Sequence, residues 1–303
     1  MPFSETLFRT SFDFPAIEQT VEATVRLAAT HPTSLYQFFQ RYTYFNGYAS
    51  SLISRLASSI ALSRYAFIHP DVVVDEEADR GMQISAQVLA AAADESANGV
   101  THRSLAQVTL KTVGDYADLA TADRNALSKT PDWMSQIIDS LIHHYQGTPN
   151  DLESLVRAMG FHTASEILGD RENALIDKVI RSDGKGVGFD AYLKDHAIPV
   201  QVEGHFYHPW CYILIHGSHE KSGVEAEHFE CALQALNATA LYCAVPEQTL
   251  VEWAIAGFSD FVQLQQRLFN EIYRECLQRT QTPDLVPDLM PDLMPDLATV
   301  GSF

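Results

Sequence analysis

Basic residues are scarce in this chain: 20 lysines and arginines stand against 39 aspartates and glutamates, a formal net charge of −19. A surface of that sign repels phosphate backbones and anionic headgroups, so neither nucleic acid nor membrane is an expected partner. Cysteine is sparse too. Cys211, Cys231, Cys243 and Cys276 make no CxxC pair and no framework spacing, and read as reduced, mostly core thiols of a cytoplasmic protein. No run approaches the ~18 apolar residues that a spanning helix needs. The opening MPFSETLFRTSF lacks the basic stretch and apolar run of a signal peptide. Also missing are a GxGxxG after a strand, a P-loop and a GxSxG elbow, which leaves nucleotide, phosphoryl-transfer and serine-hydrolase chemistry without support.

What is present is helix-forming sequence. Of 303 residues 46% are hydrophobic, enough for a sizeable core in one large domain or two ordinary ones. Apolar residues at helical spacing predict a helix from Pro15 to Ala29. A long aromatic helix follows, with Thr33 or Ser34 as N-cap and a stripe of Phe38, Tyr42, Phe45 and Leu52. That stripe is core, or the apolar wall of a buried pocket. Tyr42, Tyr44 and Tyr48 are packing residues first and redox-active candidates second. Further helices are expected at about 76–98, 102–113, 131–146, 151–160, 161–182 and 253–278, with a short hairpin between Ile198 and Ile215. No βαβ rhythm appears, so the expected class is all-α. The expected division is a helical extension at 1–30, a helical domain at 31–280, and a disordered tail at 281–303 built on a repeated Pro-Asp-Leu unit.

Three places carry residues that suit a metal. Tyr212 to Leu236 reads as one His- and Glu-rich helix in which Glu225 and His228, three apart, share a face. Imidazole with carboxylate suits iron, manganese or zinc; a solvated amphipathic helix is the competing reading. Upstream, Glu95 precedes His102 by seven residues, two turns if the helix continues; Asn98-Gly99 makes a bend equally expected, and a bend could deliver His102 to the same point. Glu166, between Ala164 and Ile167-Leu168, faces inward if its helix is buried.

In this order, a Glu-x6-His after a long helix, a Glu in a following GxxxAxE-like helix and a late His/acid/His segment resemble the haem-oxygenase-like diiron oxidases. The nearest branch is the CADD-like, TenA/PqqC-related proteins. The resemblance extends over about residues 30 to 275 and implies a bundle of about seven helices. It implies metal ligation by Glu95, His102, Glu166, Glu225 and His228. A sixth ligand is expected one turn before Glu225, where this chain has Lys221. His216 is the choice if the intervening residues bulge; His219 and Glu220 compete if a π-bulge forms near Gly223. The implied cofactor is a pair of Fe(II) ions, or one, with manganese as the alternative. The implied reaction is O2 activation on a small amino-acid- or fatty-acid-like substrate, and long helical faces are compatible with a homodimer. Two other classes stay open: a metal-independent TenA- or PqqC-like enzyme, and a non-enzymatic helical interaction protein with the tail as its arm.

Overall fold

The computed structural model describes residues 2–68, 79–94, 100–183, 188–196, 199–202, 204–217 and 224–280. Their architecture is all-α apart from one small hairpin, and none of their helices is long and apolar enough to cross a membrane. Helices are more numerous than the expected seven or so, because several predicted stretches divide. The long aromatic helix is two, α3 (Pro32–Asn46) and α4 (Ala49–Ala61), broken at Gly47-Tyr48. Its N-cap is His31 rather than Thr33 or Ser34. The His31 Nδ1 accepts from the Thr33 amide at 3.2 Å, and Pro32 starts the helix, where its missing N–H costs nothing.

Upstream, α1 (Glu5–Ser11) and α2 (Phe14–Ala28) pack into the same interior. Phe8 and Phe12 stack on Phe258 at ring separations of 4.9 and 4.5 Å. Phe258 belongs to the last helix, and full burial of such a ring contributes about 1.5–3 kcal/mol. Further along come α5 (Arg80–Asp94), α6 (His102–Tyr116), α7 (Thr121–Leu127) and α8 (Asp132–His144). Helix α6 starts afresh at His102 behind an extended Thr101 cap, so the helix that carries His102 does not continue from α5.

The expected break at Gly160 is absent. One helix, α9 (Leu152–Asp177), runs straight through it, followed by a π-helical turn at Lys178–Ser182. Gly160 does a different job. A Cβ there would land on the Ala254 carbonyl oxygen, and a Cβ on Gly257 would land on that of Arg157. The pair lets α9 meet the final helix backbone to backbone. A short α10 (Phe189–Asp195) precedes the hairpin, in which β1 (Val200–Val202) pairs antiparallel with β2 (His205–Tyr207) around Gly204 at φ +86°.

The predicted single His-rich helix is two: α11 (Cys211–His216) and α12 (Val224–Tyr242). The last helix, α13 (Glu247–Thr280), is longer than expected and spans about 50 Å. It lies along α9, with α2, α3 and α8 also against it. Helix α9 is buried nearly all round, which is why its polar residues matter. The Pro-Asp-Leu tail falls outside the described residues.

Candidate functional site

Four of the six sequence-derived ligands have described side chains, and all four are buried. His102 is 9% exposed, Glu166 5%, His216 2% and His228 3%. Glu95 lies outside the described residues, as do the competitors His219 and Glu220, Lys221 and the expected bulge near Gly223; so does the side chain of Glu225.

The buried four meet as two pairs. His102, at the start of α6, faces His216 at the end of α11, with 3.0 Å between His102 Nδ1 and His216 Nε2. His216 Nδ1 lies 2.7 Å from the Tyr212 carbonyl oxygen. A carbonyl only accepts, so Nδ1 carries the proton and Nε2 of the neutral ring presents a lone pair inward. A metal-binding histidine is commonly set this way. At metal–nitrogen distances of about 2.1 Å, neighbouring ligands at right angles stand about 3.0 Å apart. The second pair joins α9 to α12: Glu166 Oε2 lies 3.3 Å from His228 Nδ1.

The second pair has a third member outside the sequence-derived set. His162 Nδ1 stands 3.1 Å from Glu166 Oε1, so that carboxylate lies between two imidazoles. Tyr145 adds its hydroxyl 3.4 Å from His162 Nδ1 and 2.5 Å from Ser165 Oγ. The signal for His162 is its His-x3-Glu spacing in GFHTASEIL, four residues apart on one helical face. Among the described residues, however, no three His, Cys, Asp or Glu donors converge to hold one ion. The metal reading therefore needs Glu95 or Glu225 to complete it.

Both pairs border a cavity of about 70 Å³ enclosed by α3, α4, α8, α9, α11 and α13. Glu166 and His216 contribute to its wall with Tyr42, Tyr145, Glu172 and Asn173, and Phe45, Leu52, Ile53, Leu141 and Phe261 make its apolar side. The aromatic stripe of α3 is thus both core and pocket wall. A second cavity, about 150 Å³, lies beyond Tyr212 and is bordered by His102, Arg103, Ser50 and Thr101. Tyr212 and Asn46 line both.

Glu172 has no counterpart among the sequence-derived site residues. In sequence it sits in the polar run DREN of the helix expected at 161–182, with nothing to mark it as buried. Packing against α13 and α3 buries it to 6% exposure, with Gln265 Nε2 donating to its Oε1. Burial pushes its carboxyl up to about 7, against the pull of hydrogen bonds from Gln265 and Tyr42. Tyr42, fully buried, is itself raised well above its usual range, by burial first and by the neighbouring Glu172 second.

This carboxyl predicts a pH signature. Between about 4.5 and 7 the folded chain keeps a proton on Glu172 that the unfolded chain has released. The native state binds more protons there, so stability falls as pH rises through that window, by about 3 kcal/mol in all. Glu172→Gln is expected to remove this slope and to leave the protein more stable at about pH 8. Urea midpoints across the window check it; a parallel profile in the variant would assign the slope elsewhere.

Tyr44 and Tyr48 stand apart from this wall, half-buried, their hydroxyls 3.1 Å apart. None of the four cysteines lines either cavity, all four are free thiols, and burial raises each of them. That arrangement offers no activated sulfur nucleophile. Comparison with known protein families, curated proteins and solved structures finds nothing that matches the chain.

Proposed function

We infer that the chain is an O2-activating oxidase or oxygenase whose non-haem iron is held by Glu95, His102, Glu166, His216, Glu225 and His228. The single observation that carries this reading is the His102–His216 contact, two buried imidazole nitrogens 3.0 Å apart, with His216 locked by the Tyr212 carbonyl. Burial of Glu166 between His162 and His228 supports it, since an inward carboxylate in an apolar bundle is costly without a positive partner. Nitrogen and carboxylate donors together fit iron or manganese. Iron supplies the electrons that O2 chemistry requires. The chain's own part is to orient ligands: Tyr212 fixes the His216 tautomer and His162 steadies Glu166. The small cavity favours a small substrate.

Anaerobic titration of the metal-free protein with Fe(II) tests the proposal. About two ions per chain, followed by a transient visible band on mixing with O2, is the expected result. One ion would reduce the centre to a single iron, in keeping with Lys221 where a sixth ligand is expected. No binding at all would overturn the reading and leave a helical interaction protein.

A further inference from the structure

The far wall of the first cavity carries polar atoms that the metal reading does not use. Asn173 Oδ1 and Gln265 Oε1 are buried and have no hydrogen-bond partner among the described residues. Their residues are 3% and 1% exposed, and Asn173 lines the cavity directly, beside Tyr42 and Glu172. Tyr42 directs its hydroxyl at Glu172, which leaves the phenol oxygen as an acceptor. The donors nearby are already committed. Asn173 Nδ2 donates to the Gly169 carbonyl at 3.0 Å, and Gln265 Nε2 donates to Glu172. Turning the Asn173 amide over would set oxygen against oxygen, which fixes its orientation. What remains at the cavity is acceptor-rich: the Asn173 amide oxygen, the Glu172 carboxyl and the Tyr42 oxygen, with the Gln265 amide oxygen behind them.

Asn173 Oδ1, buried, bordering the cavity beside Glu172 and without a partner among the described residues, calls for a donor. A primary ammonium brings three N–H donors and the positive charge that an ionised Glu172 needs. A neutral hydroxyl brings one donor, and a carboxylate group would meet like charge. In the same lining, Leu52, Ile53 and Phe261 give a short hydrocarbon stem an apolar bed.

We propose that this cavity binds a small primary alkylammonium group, seated on Glu172, Tyr42 and Asn173 with its stem against the apolar wall. Binding stands on the cavity alone. That the amine is the substrate rests on the oxidase reading, because Glu166 and His216 border the same space. The raised carboxyl of Glu172 agrees: burial makes its ionisation costly, and a cation beside it offsets that cost.

The test uses the full chain stripped of metal, at about pH 8, where alkylammonium ions remain protonated. n-Propylammonium, 1-propanol and propionate are compared by saturation-transfer NMR and competition. Propylammonium is expected to bind at least about tenfold more tightly than either isostere, the scale of one charge-assisted hydrogen bond. Glu172→Gln is expected to cancel that preference, and Tyr42→Phe and Asn173→Leu to weaken it severalfold. Thermal denaturation of each variant separates lost binding from lost folding, and Glu172→Gln is expected to be the more stable protein. Equal binding of all three probes, no binding to folded protein, or a preference that survives Glu172→Gln would each overturn the proposal. Metal-free protein keeps the two readings distinct: amine binding without iron binding removes only the oxidase, and the converse removes only the ammonium site.

Discussion

Gly257→Ala is expected to destabilise the protein more than any other single added methyl, with Gly160→Ala close behind. At each position the new Cβ meets the backbone carbonyl of the facing helix, Arg157 for Gly257 and Ala254 for Gly160. A side chain in the way can rotate; a carbonyl inside a regular helix moves only if α9 and α13 move apart. Overpacking of a core costs about 1–3 kcal/mol, and an obstacle made of backbone places these two at the upper end. Separation of the helices would also open the packing of Phe161 against Phe261 and of Phe8 and Phe12 against Phe258. Urea denaturation should show a lowered midpoint with an unchanged slope, and Gly257→Val should fare worse than Gly257→Ala. A midpoint within error of the parent would mean that α9 and α13 are not in backbone contact. Because Glu166 and His162 ride on α9, any alanine variant that still folds should bind Fe(II) more weakly.

Glu166→Ala has the largest expected effect on function. The carboxylate joins three buried positions, with His162 on one oxygen and His228 on the other. Its removal takes a proposed ligand from the centre and leaves two imidazoles across a void. Loss of Fe(II) affinity by more than about 100-fold is expected, beyond what an outer partner of a ligand contributes. Glu166→Gln keeps the shape and one acceptor oxygen but not the charge. It is expected to fold like the parent, by circular dichroism and thermal midpoint, while sharing most of the binding defect. Alanine adds a fold penalty of about 1–3 kcal/mol from buried groups that lose a partner. Iron binding unchanged in both variants would take Glu166 out of the ligand set.

Much of the candidate site is legible from residue types. Glu166 faces inward as its alanine and isoleucine neighbours suggest, and His102, His216 and His228 are buried. His162 is legible by its spacing from Glu166, although the glycine before it makes it look like a helix start. Glu172 is not legible. A glutamate flanked by Arg171 and Asn173 on a helix turn looks solvated, and only Tyr42 from α3 and Gln265 from α13 make it buried. The orphaned oxygens of the cavity are hidden for the same reason, since whether an amide is satisfied depends on what packs against it.

By itself the sequence determined the all-helical class, through periodicity that recurs every three to four residues and the lack of any βαβ rhythm. It also suggested that Glu166 points inward, because apolar residues surround it along a helix that is buried nearly all round. Tertiary structure alone decided where helices end and which of them touch. Gly160 could have been a breaker by its own propensity; the carbonyl of Ala254, far along the chain, makes it a contact point. His102 and His216, separated by 114 positions, come within 3.0 Å only because α6 begins beside the end of α11. Helical periodicity reports the face a residue occupies, and the partner of that face is set by the packing of distant segments.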